Sequence, residues 1–447
     1  MCKKLLFFLL IPVLGMSQVQ IGQDIDGENV GDVSYAVSLS SDGNIVAIGA
    51  PQNNNGTGHV RVYENISGVW TQIGENIDGE SPGDLSGLKI SLSSDGSIVA
   101  IGAPFNSGNL HNSGHVRVYE NISGVWTQIG DDIEGKSSSD MSGFSVSLSS
   151  DGDIVAIGAP QSPKYMNYSG YVRVYENISG VWTQKGDDIE GEDVGDLCGT
   201  SVSLSSDGSI VAIGAPQNSK YMTSSGYVRV YENISGVWTQ IGNDINGETA
   251  GDRSGQSVSL SSDGNIVAIG AVTNDGNGTE SGHVRVYENI SGVWTQVGKD
   301  IDGKNAGDLT GESVSLSSDG NIVVTGAPGN GVGTNLGHAR IYKNISGNWI
   351  QAGNDIDGEA AGDANGTSIS LSSDGSMVAI GAPYNDGNGI NSGRVRMYDI
   401  SNLSSNIFVL ENFNIYPNPT SEVLNIKLEN NLTLEKATIY NNLGQIV

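Results

Sequence analysis

A recurring acidic stretch contains the side chains whose spacing could support chemistry. In its first copy, the string DIDGENVGD carries Asp24, Asp26, Glu28 and Asp32, and every later copy keeps an aspartate in the last position. Alternating carboxylates before a glycine are typical of loops that bind Ca²⁺. They are equally typical of tight turns, in which aspartate accepts hydrogen bonds from backbone amides. Several copies replace an acid by Lys or Asn, so turn chemistry is the favoured interpretation and a calcium site at these four residues is the alternative.

Histidine and cysteine give no sign of an active site. Four of the five histidines fill one repeated position that other copies give to Tyr or Arg, namely His59, His115, His283 and His338 against Tyr171, Tyr227 and Arg394. A position so interchangeable is predicted to be structural. His111 stands apart, without a Ser, Cys or Glu pattern that suggests a nucleophile and its base. Cys198 stands where other copies have Ser or Thr, so we expect a buried cysteine, no disulfide and no enzymatic activity.

The charge of the chain restricts its partners. Fifty Asp and Glu residues against 21 Lys and Arg give a formal charge of -29, which opposes binding to nucleic acids and to anionic lipid surfaces. Residues 1–17 carry Lys3, Lys4 and the apolar run Leu5–Leu14, the pattern of a cleaved signal peptide. No apolar run reaches the roughly 20 residues that cross a bilayer, so the mature chain is expected to have no transmembrane segment.

An internal repeat organises the chain. The string SSDG places an aspartate at 42, 95, 151, 207, 263, 319 and 374, with separations of 53 to 56 residues. A period of this size indicates a repeat architecture. Each copy contains four extended segments, a to d, which in the third copy read FSVSLSS, DIVAIGA, YVRVYEN and VWTQKG. Turns containing SDG and NISG join a to b and c to d, so each copy is predicted to be an antiparallel meander.

The two ends of the repeat region predict a closed ring. The last copy stops after GRVRMYDI without a strand d, and the mature chain begins with an unpaired one, QVQIGQDI, in which Gln18 aligns with the tryptophan of other copies. Pairing Val19 to Gly22 with Val395 to Tyr398 would complete a seventh blade and remove the open sheet edges. The fold class is therefore all-β, a seven-bladed β-propeller over 18–402 closed by the N-terminal strand, with an open solenoid as the alternative.

One face of this propeller is expected to bind a ligand. The b–c and d–a connections must emerge together, opposite the a–b and c–d hairpins. The b–c loops differ from copy to copy, whereas the hairpins barely change. Candidate contact residues on this face are Lys164, Tyr165, Tyr168, Lys220, Tyr221 and Tyr384. Drift at exposed loop tips is the alternative explanation.

Two resemblances follow from these motifs. The string GxSVSLSSDGxIVAIGAP followed by GHVRVY resembles the FG-GAP repeats of integrin-α-like propellers. Calcium-binding members of that family carry several aspartates in the a–b hairpin, where this chain offers Asp42 alone, so one carboxylate does not make that site.

The tail after the linker 403–412 resembles the C-terminal sorting domain of type IX secretion. Over 413–447 its recognisable residues are Tyr416, Pro417, Asn418 and Pro419, then Gly444 in the string NNLGQ. The resemblance implies a small β-sandwich-type domain, present in part because the chain stops at Val447, and a small β-domain without a sorting role is the alternative. It also implies recognition by the type IX secretion machinery of a Gram-negative bacterium.

These expectations combine into one function. The sequence predicts an exported protein, secreted or on the cell surface, that binds an unidentified protein or glycan through its loop face without catalysis. No cofactor is expected for this binding role. One alternative is an extracellular scaffold stiffened by calcium. The other is a hydrolase in the central channel, which the serine-rich channel wall disfavours.

Overall fold

The computed structural model describes residues 18–161, 169–218, 223–329 and 335–403, and the backbone of two short strands in the tail. The predicted signal peptide, 1–17, lies outside the described residues. The described chain forms seven antiparallel sheets, arranged as the blades of a propeller, and one separate hairpin.

Every blade has four strand positions, a to d. The blades are numbered one to seven, starting with the blade that contains the first strand a. Strands a are Ala36–Leu39, Lys89–Leu92, Ser145–Leu148, Ser201–Leu204, Ser254–Leu260, Ser313–Leu316 and Ser368–Leu371. Strands b are Ile45–Ala50, Ile98–Ala103, Ile154–Ala159, Ile210–Ala215, Ile266–Ala271, Ile322–Ala327 and Met377–Ala382. Strands c are His59–Ile66, His115–Ile122, Tyr171–Ile178, Tyr227–Ile234, His283–Ile290, His338–Ile345 and Arg394–Asp399.

Strand d is interrupted in six blades. Its first part is Val69–Gln72, Val125–Gln128, Val181–Gln184, Val237–Gln240, Val293–Gln296 and, in blade seven, Val19–Gln20. It resumes at Ile77–Asp78, Ile133–Glu134, Ile189–Glu190, Ile245–Asn246, Ile301–Asp302 and Ile25–Asp26. In blade six it is continuous over Asn348–Asp357. The b–c loop of blade one contains a four-residue helical turn, Asn53–Gly56.

A glycine lies in the interruption, which the sequence did not predict. Gly74 has a φ of +71°, and a Cβ there would lie 2.7 Å from the Gly124 carbonyl oxygen and 3.0 Å from Trp126 Cδ1 of the next blade. Only glycine fits this backbone and this approach. Strand d therefore bends where the next blade packs against it.

The N-terminal strand closes the ring, as predicted, with a different register. Val19 pairs with Asp399 and Gln20 with Tyr398, one residue away from the expected alignment. After the bend, Ile25 pairs with Val395, so the closing strand is longer than the four residues expected. Seven blades and closure by the N-terminus are confirmed.

Two rings of hydrogen bonds connect the blades around the central channel. In one ring, the backbone amide of the second serine of each SSDG turn donates to the carbonyl of the equivalent serine in the next blade. The ring begins with the Ser41 amide, which donates to Ser94 at 2.7 Å, and it closes with the Ser373 amide, which donates to Ser41 at 2.9 Å. In the other, the leucine amide of strand a donates to a serine Oγ of the neighbouring blade, as Leu92 does to Ser38 at 2.9 Å. Both rings return to their starting blade, which fixes the blade number.

The apolar core lies between the blades. Strand b is buried on both faces in each blade, as its apolar sequence predicts. One cluster, for example, joins Val60 and Ile77 of blade one to Leu92, Val99 and Ile101 of blade two. Each blade is therefore stabilised chiefly by burial against its neighbours.

The described part of the tail is one antiparallel hairpin. Phe413–Tyr416 pairs with Asn425–Leu428, with Ile415 opposite Ile426. Tyr416 is the last residue of the first strand, whereas Pro417, Asn418, Pro419 and Gly444 lie outside the described residues. Among the described residues, no helix is long and apolar enough to cross a membrane.

Candidate functional site

The b–c and d–a loops share one face of the propeller, as predicted. The Gln52 amide in a b–c loop donates to the Asp32 carbonyl at 3.3 Å, and the Leu85 amide in the next d–a loop donates to Gly56 at 2.8 Å. The b–c loop of blade one is thus held between two acidic stretches. We call this surface the loop face.

The last aspartate of every acidic stretch is buried and holds the loop face together. These residues are Asp32, Asp84, Asp140, Asp196, Asp252, Asp308 and Asp363. In the second copy, Asp84 Oδ2 accepts hydrogen bonds from the Ser81 amide and from Asn106 Nδ2, both at 2.9 Å. The carboxylate therefore satisfies a turn amide and fixes the adjacent b–c loop.

The four carboxylates proposed for calcium contact protein groups. Asp24 and Asp26 both pair with Arg394, at 2.8 and 2.6 Å. Glu28 accepts a hydrogen bond from an asparagine amide at 3.0 Å, and Asp32 accepts two in its own loop region, at 2.8 and 3.0 Å. Among the described residues, the sets of three or more potential ligand atoms within 4.8 Å of one another do not include these four. Calcium binding there stays a prediction.

At the mouth of the central channel on the loop face, equivalent positions in different blades carry different side chains. The equivalent residues at the start of the inner strands are half-buried and differ between blades: Tyr35, Leu88, Phe144, Thr200, Gln256, Glu312 and Thr367. They precede strand a in six blades, and Gln256 lies within it in blade five. Lys89 begins strand a of blade two, where the other blades have Ala or Ser. We call these residues the channel mouth.

Electrostatic coupling spans the channel mouth. Desolvation lowers the pKa of Lys89, and Glu312, from blade six on the far side of the channel, opposes that shift. Burial raises the pKa of Tyr35 to about 12, with Glu312 and then Tyr384 adding to the effect. Groups from blades one, two, six and seven therefore sense one another across the opening.

Of the six predicted contact residues, the structure places one. Tyr384 is 51% exposed on the loop face, in the b–c loop of blade seven. Lys164, Tyr165, Tyr168, Lys220 and Tyr221 lie outside the described residues and stay predictions.

Cys198 is buried, as expected, and free. Burial raises the pKa of its thiol to about 12, and Asp196 adds to the rise. The side chain therefore remains a protonated thiol at neutral pH.

Each boundary between blades contains a polar set that the sequence analysis did not single out. At the boundary of blades one and two, its members are Glu80 from the acidic stretch, His115 and Arg117 from strand c, and Asp132 before the resumed part of strand d. We call this the interface set and number it by the blade that supplies strand c. Its members lie far apart in sequence, so repeat alignment alone does not show that they meet.

Arginine is the third residue of strand c in every blade and is buried, at Arg61, Arg117, Arg173, Arg229, Arg285, Arg340 and Arg396. In five blades its Nη2 donates to a backbone carbonyl of the preceding blade, as Arg117 does to Asp78 at 2.7 Å. The recurring VRVY string, a charge inside an apolar strand, was the available signal.

Histidine in the interface sets is buried and neutral at pH 7. Burial lowers the pKa of His283 and of His338 to about 4, and the adjacent arginines, Arg285 and Arg340, lower it further. Burial also lowers the pKa of His59 and of His115. A neutral imidazole keeps one nitrogen free to accept a proton or a metal ion.

Comparisons with protein families agree with this architecture. The FG-GAP repeat matches residues 246–287, which run from the resumed strand d of blade four to strand c of blade five. A secretion system C-terminal sorting domain matches residues 414–447. The chain thus forms a seven-bladed propeller that contains a match to the FG-GAP repeat and ends in a match to a sorting domain. No curated protein matches it. The match to a sorting domain indicates type IX export, so the protein is secreted or attached to the outer membrane of a Gram-negative bacterium.

Proposed function

We propose that this FG-GAP propeller is a non-catalytic binding module that takes a protein or glycan ligand at the channel mouth of the loop face. The secretion machinery would deliver it to the outside of the cell, where such a ligand is available. Binding, rather than a reaction, is the role that the aromatic, amide and charged groups of the mouth support.

The observation that carries the proposal is the asymmetry of the channel mouth. Strand b reads IVAIGA in five of the seven blades, and the c–d hairpins read ENISGVW in five. The seven equivalent residues of the channel mouth, Tyr35 and its counterparts, by contrast, have six different identities. A symmetric framework needs equal side chains at equal positions, whereas one discrete ligand needs unlike groups around a single opening.

The chemistry of the channel mouth suits a partly polar ligand. Tyr35 and Phe144 offer half-buried aromatic rings, which contribute contact area at low entropic cost. Lys89 and Glu312 add opposite charges on opposite sides of the opening. The exposed ring of Tyr384 extends this surface outward.

Binding assays on matched variants test the proposal. The chain from Gln18 to Val447 is screened on a glycan array and on bacterial and host cells, with Glu312→Gln and Tyr384→Ala as loop-face variants. Ile178→Thr, on an exposed hairpin of the opposite face, is the control. We expect each loop-face variant to weaken binding by about tenfold or more, and the control to bind as the unaltered protein does. Equal binding by all the variants would exclude the channel mouth.

The scaffold alternative predicts another result in the same experiment. The excess of carboxylates favours it, since a chain of formal charge -29 gains stability from bound cations. A calcium-dependent rise of the melting temperature without saturable binding to any array or cell surface would support the scaffold and contradict the binding module.

A further inference from the structure

We propose that interface sets two and five each bind one divalent transition-metal ion of the zinc class. The ligands are Glu80, His115 and Asp132 in set two, and Glu248, His283 and Asp300 in set five. These sites differ in place and in ligand type from the calcium site considered for the first acidic stretch.

The geometry of set two brings three ligand atoms together. One nitrogen of His115 and one carboxylate oxygen each of Glu80 and Asp132 lie within 4.8 Å of one another. The His115 side chain is 1% exposed, its Nδ1 has no hydrogen-bond partner, and this atom lies 3.4 Å from Asp132 Oδ2. A buried nitrogen without a partner, directed at a carboxylate oxygen, is costly unless a proton or a metal ion joins the two.

Set five has the same three ligand types, three blades away. His283 Nδ1 lies 3.9 Å from Asp300 Oδ2. In this set the buried nitrogen without a hydrogen-bond partner is Nε2, whereas in set two it is Nδ1. Glu248 completes the three ligands within the same 4.8 Å. One imidazole with two carboxylates suits Zn²⁺ and its neighbours, whereas Ca²⁺ takes oxygen ligands alone.

The other interface sets provide an internal comparison, because in four of them a protein cation occupies this place. Lys136 pairs with Asp188 in set three, and Lys304 Nζ lies 2.7 Å from Asp355 in set six. In set four, Arg229 lies 2.7 Å from Asp244 and 2.8 Å from Glu192.

Sets seven and one complete the comparison. In set seven, Arg394 pairs with Asp24 and with Glu359. In set one, the aspartate position holds Asn76, whose amide donates to Glu28 at 3.0 Å. Sets two and five thus combine both carboxylates with an imidazole and have no lysine.

The arginines of sets two and five do not replace the missing cation. Arg117 lies 4.0 Å from Glu80, and Arg285 lies 3.5 Å from Glu248. Among the described ion pairs, each of these arginines contacts the glutamate and not the aspartate of its set. The aspartate therefore faces the imidazole without a positive partner.

A further carboxylate adds negative charge to each site. Glu134 lies opposite His115 in the strand register, and its buried Oε2 has no hydrogen-bond partner. Asp302 holds the equivalent position in set five, opposite His283. A bound divalent cation would offset this negative charge.

The site in set two is partly open to solvent. The Glu80 side chain is 46% exposed and that of Asp132 is 25% exposed, while the imidazole of His115 is buried. An ion can therefore reach the carboxylates from the rim, and water can complete its coordination.

Titration with Zn²⁺ tests the proposal on the chain from Gln18 to Val447 after treatment with a chelator. We expect saturable binding of one ion at each of the two sets and a melting temperature that rises with Zn²⁺. The decisive variant is the double substitution Glu80→Lys with Glu248→Lys, because it introduces the lysine that sets three and six already contain. It should fold, and it should lose both the binding and the rise in melting temperature.

A second variant and a control separate loss of ligands from loss of structure. His115→Gln with His283→Gln should also lose binding, while His59→Gln, beside Asn76 in set one, should keep the stoichiometry of the unaltered chain. Zn²⁺ binding that persists unchanged in the double lysine variant would overturn the proposal, as would the absence of saturable binding to the unaltered chain. Neither result depends on a ligand at the channel mouth.

Discussion

At the scale of single residues, the SSDG turn assigns one task to each position. In blade four, Ser205 Oγ donates to Asp207 at 2.7 Å and accepts the Ile210 amide at 2.9 Å. Ser206 joins the ring around the channel, and Gly208 has a φ of +66°, which L side chains rarely adopt. The turn recurs in seven copies because each copy joins strands a and b of one blade and provides one hydrogen bond of the ring around the channel.

Buried histidine makes the stability of the propeller depend on pH. Burial and Arg340 lower the pKa of His338 from 6.5 to about 4. Between these two pH values, His338 is therefore protonated in the unfolded chain and neutral in the folded chain. The free energy of unfolding falls as the pH drops from about 6.5 towards 4, and is unaffected by this group above that range.

Replacing His338 by Tyr should reduce this dependence. Interface set three already has Tyr171 beside Lys136. His338→Tyr beside Lys304 therefore places in set six a pair of residues that the same fold already contains in set three. We expect the difference in melting temperature between pH 7 and pH 5 to be smaller in the variant than in the unaltered protein. Differential scanning calorimetry measures it, with His111→Tyr at an exposed position as the control. An unchanged difference would show that His338 does not contribute.

Acid affects the inner turns at lower pH. Burial pushes the pKa of Asp207 up, but hydrogen bonds from the Ser209 amide, the Ser209 hydroxyl and the Ser205 hydroxyl outweigh it and leave the pKa below its usual 3.8. Stability from this group is present above about pH 4 and is lost as the pH falls through the folded pKa. The histidine and aspartate contributions therefore fall in separate windows.

At the scale of elements, the outer strands are joined by tryptophan. In six blades the indole Nε1 donates to the carbonyl of the residue that follows the first part of strand d in the preceding blade, as Trp238 does to Lys185 at 2.7 Å. The indole also covers the glycine at which strand d bends, Gly186 in this case. One side chain therefore determines both the bend of one strand and the position of the next blade.

Removing the indole N–H should measure this contact. Trp238→Phe keeps an aromatic ring but leaves the Lys185 carbonyl without its donor, at an expected cost of about 1–3 kcal/mol in the free energy of unfolding. Urea unfolding should show a lower midpoint with the same slope, since the surface exposed on unfolding changes little. Thr239→Ser, exposed on the same strand, should match the unaltered protein. A midpoint equal to that of the control would contradict the role of the N–H group.

The strand order was predictable from sequence, whereas the contacts between elements were not. Alternation along SVSL and the SDG and NISG turns define strands and hairpins locally, because both depend on neighbours in sequence. The bend of strand d depends on Trp126 packing onto Gly74, 52 residues earlier. The interface sets likewise join residues such as Lys136 and Asp188, which no local pattern relates.

At the scale of the whole molecule, closure is achieved by residues from both ends of the propeller. Gln18 takes the place of a tryptophan and donates to the Asn354 carbonyl. Leu403, the first residue of the predicted linker, is buried, and its Cδ2 lies 3.0 Å from the position of a Cβ on Gly353, where other blades place the indole. A glutamine and a leucine distant in sequence thus replace one aromatic residue.

The candidate binding site shows where sequence reasoning stops. The loop face followed from strand order alone, and the differing b–c loops directed attention to its rim. The channel mouth was missed because Tyr35, Lys89 and Glu312 vary at positions that precede or begin an inner strand, where variation looks like tolerance. Only the closed ring brings blades two and six to opposite sides of one opening.

Deleting the closing strand should open the ring. A chain that lacks residues 18–26 leaves the edge of Arg394–Asp399 unpaired and removes the Ile21 carbonyl that accepts from Trp70. We expect a lower and broader thermal transition and concentration-dependent association, since an exposed strand edge pairs with other chains. A synthetic peptide of residues 18–32 should restore the transition and the monomeric elution volume. The same peptide with Ile25→Asp should not, because Ile25 is buried between blades seven and one. A truncated chain that melts as sharply and as high as the intact one would show that the inner rings alone hold seven blades together.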